Sequence, residues 1–358
     1  MKKGKDRSLK KYLRVPVEGM EVCGSGGAYG MMSGLSNLSF QGRNLGTTVK
    51  IWKRMLGDDV TIFLGVAGAL VPAGMRKTFL FLIENHLVDC IVSTGANLFH
   101  DVHETLGRKH WRGTPLADDE ELFRHGVDRI YDTFASEHEF RQTENRIARI
   151  SCKLQKNYNY STREYLKFLG TELRKEACRP GILTAAAEND IPVYCPAIAD
   201  SSIGIALDKA RTKWKAKFFI DVIKDVKETG AIMRWCGRSG VIYLGGGTPK
   251  NFIQQAALIP SKTMTKFFPH RYAIQITTDA PHWGGLSGCT LEEAKSWGKI
   301  GVDADQVTVY CDATIAFPLL VNAIAEELPR MKLGRMPVFH WQPAGAPNPI
   351  KIKYIPRA

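Results

Sequence analysis

The sequence predicts an α/β protein with a doubly wound, mostly parallel, Rossmann-like sheet and a helical elaboration. Six short, nearly continuous apolar runs span residues 60–64, 87–92, 192–194, 241–244, 272–276 and 307–310. Runs of this kind suit strands that are buried on both faces, as in a parallel sheet. Helical patterns at residues 73–86, 162–177 and 214–229 alternate with them. Such alternation is typical of a doubly wound sheet.

The ends of these apolar runs are where a ligand is expected, because open α/β sheets bind ligands outside the carboxyl ends of their strands. Small and polar residues follow the runs directly, as in Ser93-Thr94-Gly95, Gly245-Gly246-Gly247 and Cys311-Asp312. The sequence therefore predicts a pocket along this edge of the sheet.

One folded domain over residues 15–330 is predicted, because the chain has neither a low-complexity linker nor an internal repeat. Residues 108–160 are polar and helical in pattern without a convincing strand, which indicates a helical insertion. Residues 331–358 are interpreted as a C-terminal tail. Residues 1–14 carry seven lysines and arginines and are interpreted as a solvated basic arm.

Composition limits the partners and the compartment. The formal net charge of +13 favours an acidic partner or simply solubility. Nucleic acid is not expected, because basic and aromatic residues do not interleave in any RNA-binding signature. Eight cysteines without a CxxC pair indicate reduced, mostly buried thiols and a cytoplasmic protein. No membrane is expected, since no apolar stretch is long enough to cross a bilayer.

The triple glycine at 245–247 follows one of the predicted strands. Thr248 is a suitable N-cap and Pro249 a suitable first helical residue, so a helix is predicted to begin there. A helix N-terminus with free backbone N–H groups suits the pyrophosphate of a dinucleotide. Tight packing at a strand–helix turn is the alternative interpretation.

The segment from Trp283 to Lys299 contains the most informative local pattern. Thr290 and Glu293 have the spacing of a capping box, so a short helix is predicted to start there. Glu293 and Trp297 are four residues apart and share one face, and Gly298 can end the helix. Lys299 would then lie on a turn beside an aromatic ring and a carboxylate, where a desolvated lysine can form an imine. An exposed surface lysine is the alternative.

Together these segments resemble the deoxyhypusine synthase family over residues 15–325. The resemblance is carried by Ser296-Trp-Gly-Lys-Ile300, Phe63-Leu-Gly65 with Gly74-Met-Arg76, Ser93-Thr-Gly95, Pro196-Ala197 with Asp200, Leu244-Gly-Gly-Gly247, and Asp312-Ala313 with Phe317-Pro-Leu-Leu320. The resemblance implies that NAD accepts hydride from spermidine, that an aminobutyl group passes to a lysine as an imine, and that it then passes to an acceptor amine. It also implies a homotetramer with cofactor sites between subunits.

The resemblance also implies roles for individual residues. Lys299 matches the catalytic lysine. The positions expected to bind the polyamine are Glu293, Trp297, His100, Asn251, Gly284 and His282. The positions expected to bind NAD are Gly68, Thr94, Gly95, Asp200, Gly246, Thr278, Asp279, Asp312 and Ala313. The family uses no metal, so none is expected, and His103 is interpreted as ordinary helix surface.

Several pocket positions depart from the eukaryotic enzymes that modify a protein. Gly68 and Ala69 replace Ser and Asn, His100 replaces a glutamate, and Asn251 replaces a histidine. Two aspartates that hold ammonium groups become Ile205 and Leu286. Buried ammonium groups need carboxylates, so another acceptor must serve here. The candidate acceptors are Asp101, Asp208, Asp279, His100 and His282.

These departures leave three hypotheses. The leading one is a small-molecule aminobutyl transferase with spermidine as donor and an acceptor such as putrescine, giving homospermidine. The second is a true deoxyhypusine synthase that modifies a lysine of the translation initiation factor 5A precursor. The third is a non-catalytic protein that binds NAD or polyamine.

Overall fold

The computed structural model describes residues 15–22, 26–259, 267–343, 346 and 348–357. The predicted basic arm at 1–14 lies outside these residues. The strands described are β1 (Thr61–Val66), β2 (Cys90–Ser93), β3 (Trp111–Arg112), β4 (Val127–Ile130), β5 (Thr133–Ser136), β6 (Asn159–Tyr160), β7 (Val193–Tyr194), β8 (Phe219–Ile220), β9 (Ser239–Leu244), β10 (His270–Thr277), β11 (Ile300–Tyr310), β12 (Arg335–Trp341) and β13 (Ile350–Pro356).

The helices described are α1 (Gly27–Leu35), α2 (Phe40–Gly57), α3 (Arg76–Glu84), α4 (Gly95–Thr105), α5 (Asp119–Arg124), α6 (Glu137–Ser151), α7 (Thr162–Arg174), α8 (Ile182–Glu188), α9 (Ser202–Thr212), α10 (Val222–Trp235), α11 (Gly247–Ala256), α12 (Leu291–Ser296) and α13 (Ala313–Glu327). Short 3-10 helices occupy Pro281–Trp283, Leu286–Gly288 and Leu328–Arg330.

The central sheet has six strands in the order β11-β10-β9-β1-β2-β7. All of its strand pairs are parallel. Each of the six predicted apolar runs overlaps one of these strands, so the predicted fold class is confirmed. The strand β1 lies between β9 and β2, which makes it central although it comes first in the chain.

Alternate side chains of the strands enter two separate cores. Ile62 and Leu64 of β1 lie in one cluster with Trp52 and Phe317, whose rings stack with centroids 6.1 Å apart. Phe63 points the other way and joins a second buried cluster. Because successive residues of a strand face opposite sides, helices must cover both faces of this sheet. The near-continuous apolar runs in the sequence reflect this double burial.

One predicted helix begins later than the sequence pattern indicates. The pattern at 214–229 was expected to be helical throughout, but α10 begins only at Val222. Lys215 has a positive φ of 56°, which a continuous helix does not allow. Asp221 caps the helix by accepting hydrogen bonds from Ile223 N and Lys224 N at 3.0 and 3.2 Å.

The segment 108–160 is not purely helical, contrary to the prediction. It holds α5 and α6 together with a small sheet of order β3-β5-β4, whose strand pairs are antiparallel. These strands have two to four residues and leave a large side chain, Trp111, exposed. Such short, half-exposed strands lack the apolar signal that identified the central sheet.

The segment 331–358, interpreted as a tail, folds into an antiparallel hairpin of β12 and β13. Arg357 is anchored under the sheet, where its guanidinium donates to both carboxylate oxygens of Asp89 at 3.0 Å. Asp89 also accepts from Ile62 N at 2.7 Å, so the ion pair is tied directly to β1. The hairpin is therefore part of the folded domain.

Two expectations from composition concern the membrane and the thiols. None of the helices in the described residues is long and apolar enough to span a bilayer. Of the seven cysteines described, Cys90, Cys195 and Cys236 are buried, whereas Cys152 and Cys178 are exposed. The expectation of mostly buried thiols is therefore met only in part.

Candidate active site

The turn that carries Lys299 is fixed by backbone hydrogen bonds at the end of α12. Thr290 caps the start of the helix and accepts from Glu293 N at 2.9 Å. Gly298 has φ 70°, a left-handed conformation that favours glycine. Its N–H donates to Lys295 O at 2.9 Å, and Lys299 N donates to Ala294 O at 3.0 Å. This pair of bonds is a Schellman motif, and it confirms the predicted helix end.

Lys299 is buried in the structure. The sequence spacing alone was also compatible with an exposed surface lysine. Only 9% of the residue is exposed. Its Nζ lies 5.1 Å from the centre of the Trp297 ring and 3.5 Å from Asn251 Oδ1. Trp297 itself is 59% exposed, so the ring forms the outer wall of this small pocket. The arrangement combines an aromatic face, an amide oxygen and an amine at one point.

A second lysine, which the sequence reasoning missed, lies beneath this turn. Lys250 is fully buried, and its Nζ donates to Gln275 Oε1 at 3.1 Å and to the Cys289 carbonyl. Burial lowers the pKa of Lys250; nearby Cys289 and Glu293 oppose that shift, and Lys299 adds to it. Two signals were available: a lysine three residues after the triple glycine, and Gln275 inside an apolar strand.

The glycine loop begins its helix earlier than predicted. The N-cap is Gly246 and the helix begins at Gly247, so Thr248 is not the N-cap. Gly245 and Gly247 have positive φ angles of 71° and 55°, which favour glycine over a residue such as threonine. Gly247 N donates to Ser287 Oγ at 3.1 Å. A Cβ on Gly246 would lie 2.4 Å from Ser287 Cα, so only glycine fits this approach. The loop is thereby packed against the segment that leads to Lys299.

The predicted cofactor positions on the other half of the sheet lie after β1, β2 and β7. Gly68 is exposed and has φ 82°. Thr94 caps α4, accepting from Asn97 N at 3.4 Å, and Gly95 is the first helical residue. A Cβ on Gly95 would lie 2.3 Å from Ser201 Oγ, so this turn packs closely against the residue that follows Asp200. The side chain of Asp200 is exposed.

The remaining predicted cofactor positions follow β10 and β11. Thr278 and Asp279 are exposed after the end of β10, and Asp279 N donates to Thr277 Oγ1 at 3.1 Å. Asp312 caps α13 by accepting from Thr314 N at 2.6 Å, and Ala313 is the first helical residue. A cleft next to Asp312 is also lined by Ala69, Ala73, His110 and Arg112. All of the predicted cofactor positions thus follow strand ends.

His100 belongs to a chain of hydrogen bonds that ends at a carboxylate. Its Nδ1 lies 2.9 Å from His110 Nε2, and His110 Nδ1 lies 2.9 Å from Glu104 Oε1. In the tautomers that carry the proton on Nδ1, His110 donates to Glu104 and His100 donates to His110, which leaves His100 Nε2 as an acceptor. Burial, helped by nearby His110, lowers the pKa of His100 to about 3. His100 is therefore a neutral acceptor.

Other predicted residues are not brought to Lys299. His282 is exposed against the ring of Trp283, with centroids 4.3 Å apart, and Gly284 is an exposed turn residue with φ 71°. Within the described part of the chain, neither His100 nor His282 hydrogen-bonds to Lys299.

Two assignments made from the sequence are wrong. Asp101 is not a free acceptor, because it is buried and accepts from Arg76 Nε at 3.0 Å and from Ile182 N at 2.8 Å. His103 is not helix surface, because it is fully buried with Nδ1 3.1 Å from Thr143 Oγ1. Helix α4 is covered by α6 and α8, so side chains on both its faces are enclosed.

The two groups of candidate residues lie at different levels of the sheet. Lys299 O accepts from His270 N at 3.1 Å, so the lysine backbone is level with the first residue of β10. The polar residues after Thr277 lie at the other end of that strand, about 26 Å from this backbone position at a rise near 3.3 Å per residue. Helix α11 connects the two groups, because it begins in the glycine loop and its residue Asn251 contacts the Lys299 side chain.

Comparison with known proteins agrees with this fold. Residues 30–324 match the family model described as deoxyhypusine synthase. A "Probable deoxyhypusine synthase 2" of Methanosarcina mazei is 48% identical over 326 residues, covering 90% of this chain and 93% of that protein. A "Deoxyhypusine synthase-like protein" of Chlorobaculum parvum is 34% identical over 326 residues, covering 88% of this chain and 92% of that protein.

Among solved structures, a putative deoxyhypusine synthase from Entamoeba histolytica has the same fold, with a TM-score of 0.59 at 17% identity. The alignment covers 89% of this chain and 99% of that one. The match to the family model and the identity to the relatives lead to one conclusion: this chain belongs to the deoxyhypusine synthase family, and it is a transferase.

Proposed function

We propose that this chain is an NAD-dependent aminobutyl transferase in which Lys299 carries the transferred group as an imine. The observation that supports this most is the pocket of Lys299. The lysine is buried on a turn beside the Trp297 ring and the Asn251 amide oxygen. Glu293 lies on the short helix α12, which directly precedes this turn. A buried amine beside an aromatic face suits both nucleophilic attack and the holding of an ammonium group.

The end of the sheet fits NAD. Helix α11 begins after an N-cap glycine that supplies no side-chain cap, and the helix dipole favours a phosphate at this N-terminus, where Gly247 N donates to Ser287 Oγ. The exposed carboxylates of Asp200, Asp279 and Asp312 can accept hydrogen bonds from ribose hydroxyls. When bound, NAD would accept a hydride from the amine donor and return it to the product.

The chain's own residues account for the transfer step. The Lys299 amine adds to the imine carbon of oxidised spermidine and expels 1,3-diaminopropane, so one C–N bond replaces another. The acceptor amine then adds to the same carbon and expels Lys299. The proton lost by each attacking nitrogen goes to each leaving nitrogen. Trp297 and Glu293 hold the remaining ammonium end, and burial keeps water from the imine.

A small amine such as putrescine is the proposed acceptor, with homospermidine as product. Ile205 and Leu286 are 48% and 42% exposed and stand where the family's protein-modifying enzymes carry aspartates. His100, in place of a glutamate, is a neutral acceptor. The pocket therefore offers fewer anionic partners to a long polycation. By analogy with the family, we also propose a homotetramer. In such an assembly, the Lys299 turn of one subunit would lie near the strand-end residues of another subunit across an interface.

A true deoxyhypusine synthase is the second candidate. The observation that favours it is the name of two relatives that are 48% identical, "Probable deoxyhypusine synthase 2". In that case the acceptor would be a protein lysine, and the altered positions near Ile205 and Leu286 would contact it.

The deciding experiment uses purified protein with NAD and spermidine. Putrescine should yield homospermidine, measured by mass spectrometry, and Lys299→Arg should reduce the rate by at least about a thousandfold because the imine cannot form. Transfer to a lysine of the translation factor precursor, with none to putrescine, would support the second candidate. Borohydride should trap an adduct on Lys299 during turnover; the absence of any adduct with any polyamine would favour a non-catalytic protein.

A further inference from the structure

Gln275 is a buried polar side chain in the middle of the apolar strand β10. Only 1% of the residue is exposed, and its neighbours Ile274 and Ile276 are fully buried. Burying an amide is costly unless its polar groups have hydrogen-bond partners. The partners of this side chain therefore indicate what a glutamine does here that an apolar residue would not.

The amide of Gln275 joins three segments of the chain. Its Oε1 accepts from Lys250 Nζ at 3.1 Å, and its Nε2 donates to Gly245 O at 3.0 Å and to Ser287 O at 2.8 Å. An ammonium group only donates and a carbonyl only accepts, so these partners fix which end of the amide is which. The three segments are helix α11, the glycine loop and the 3-10 helix Leu286–Gly288.

Ser287 is held against the glycine loop by both its main chain and its side chain. Its carbonyl accepts from Gln275, and its Oγ accepts from Gly247 N at 3.1 Å. A Cβ on Gly246 would lie 2.4 Å from Ser287 Cα, so the two backbones pack directly on each other. A movement of the loop therefore displaces Ser287.

A displacement of Ser287 reaches Lys299 along the chain and through helix α11. Cys289, two residues after Ser287, accepts from Lys250 through its carbonyl and directly precedes the N-cap of α12. Lys299 follows that helix, and its Nζ lies 3.5 Å from Asn251 Oδ1. Because Lys250 and Asn251 are adjacent in α11, one helix contacts the chain on both sides of α12.

Gln275 lies on the face of the sheet that α11 and α12 cover. Ala273, two residues earlier and therefore on the same face, shares a buried cluster with Ile253 of α11 and Leu291 of α12. The amide is thus enclosed between the strand and these two helices. Hydrogen bonds in such an enclosed place are stronger than those exposed to water, so they hold the segments in one arrangement.

We propose that Gln275 is a positioning residue that couples the glycine loop to the Lys299 turn. Its two donated hydrogen bonds fix the loop, where the cofactor phosphate is proposed to bind, relative to the turn that presents the Lys299 amine. This rests on the proposed function, because it assumes a cofactor at the loop and a nucleophile at Lys299. Gln275 is enclosed in the core and acts only through these segments.

Two substitutions separate the donated hydrogen bonds from the contact with Lys250. Gln275→Met has a similar volume and removes all three bonds. Gln275→Glu retains an acceptor for Lys250, but its ionised carboxylate cannot donate to Gly245 O or Ser287 O. The matched control is Gln254→Met. Gln254 of α11 is also 1% exposed and, within the described part of the chain, hydrogen-bonds to neither the glycine loop nor the segment before α12.

Three quantities are measured for each full-length variant at one fixed pH. Fluorescence titration gives the affinity for NADH. Incubation with butanal and cyanoborohydride, followed by mass spectrometry, gives the rate of butylation of Lys299 relative to exposed lysines of the same chain. Urea denaturation gives the free energy of unfolding, which separates a change in stability from a change in position.

Both Gln275 variants should bind NADH about tenfold more weakly and butylate Lys299 about tenfold more slowly, because the unpaired carbonyls move the loop and the turn together. The control should match the wild type in both quantities. A loss confined to one quantity, or a lower free energy of unfolding with both unchanged, would overturn the proposal. Wild-type values in Gln275→Glu would also overturn it, because only the Lys250 contact would then matter.

The outcomes distinguish this proposal from the proposed function. If the wild-type chain neither binds NADH nor forms an adduct on Lys299 during turnover, the proposed function fails, and the coupling fails with it. If the wild type does both and the Gln275 variants are unchanged, only the role of Gln275 fails. Should Gln275→Met not fold, as judged by circular dichroism, Gln275→Glu decides alone because it keeps a partner for Lys250.

Discussion

The residues that follow the strand ends and the turn that carries Lys299 are built in different ways. At the strand ends, Thr94 and Asp312 cap helices, and Gly246 leads into α11. At the turn, Lys299 follows a Schellman motif and is level with the amino end of β10. Polar groups at the strand ends follow from the topology of any such sheet, whereas a buried lysine at the opposite level requires a specific local motif.

This difference shows what sheet topology can predict and what a local sequence motif can predict. The rule for open α/β sheets predicts a pocket but not its chemistry, because many families place similar caps and glycines there. The lysine turn indicates a chemistry, yet its position would not be found by that rule. Helix α11 joins the two, so substitutions at either end of it test whether they act separately.

In the comparison of the two regions, the largest effect expected on cofactor binding concerns the glycine loop. Gly246→Ala places a Cβ 2.4 Å from Ser287 Cα, so the loop must move away from the position that suits a phosphate. We expect at least about tenfold weaker binding of NADH, roughly 1.4 kcal/mol, measured by fluorescence titration.

Gly30→Ala is the control for that substitution, because among the described residues nothing apart from its chain neighbours and its own helix backbone lies within 4 Å of the added Cβ. It should bind NADH as the wild type does. If Gly246→Ala also keeps the wild-type affinity, the glycine loop is only a packing feature, and the distinction between the two regions loses its functional meaning.

The second effect concerns the turn alone. Gly298→Ala forces a left-handed φ of 70° on alanine and brings its Cβ within 2.7 Å of the Phe267 ring. The free energy of unfolding should fall by about 1–2 kcal/mol, measured by urea denaturation. Trapping of Lys299 should slow while NADH affinity stays near the wild-type value. Equal loss of both would mean that the two regions form one cooperative unit.

The smallest effect belongs to a buried acid that is not one of the candidate residues of either region. Burial raises the pKa of Asp225 to about 7, against the hydrogen bonds from Thr162 that lower it. A raised folded-state pKa means that this contribution to stability is present below about pH 4 and is lost as the pH rises through 7. The free energy of unfolding should therefore fall by about 1 kcal/mol between pH 6 and 8.

Asp225→Asn should flatten that part of the stability curve, measured by urea denaturation at each pH. Comparing the wild type with Asp225→Asn separates the pH dependence of the free energy of unfolding from the pH dependence of the reactivity of Lys299. An unchanged slope in Asp225→Asn would assign the pH dependence of stability to other groups.

The central sheet could be predicted from the sequence because each strand is buried on both faces. Even so, the strand boundaries in the structure differ from the predicted ones where buried residues lie outside a strand or exposed residues lie inside one. Leu87 and Val88 are fully buried but precede β2, and the polar stretch near Asp303 belongs to β11 although its pairing with β10 is irregular. The sheet β3-β5-β4 and the hairpin of β12 and β13 escaped, because neither forms a long apolar run.

The candidate site was predictable where a residue acts through its immediate neighbours. The cap at Thr290 and the helix stop at Gly298 depend on contacts within a few residues. Lys250 depends on Gln275 and Cys289, which are 25 and 39 residues away. Spacing in the sequence carries no direct trace of such contacts.

The ion pair of Arg357 with Asp89 has a consequence for synthesis on the ribosome. The two residues are 268 positions apart, and Asp89 is bound to the backbone of β1. The strand β1 also awaits its neighbour β9 from much later in the chain. The first-made half of the sheet therefore cannot complete its pairing until β9 has been synthesised, and closure of the domain must wait until Arg357 has left the ribosome.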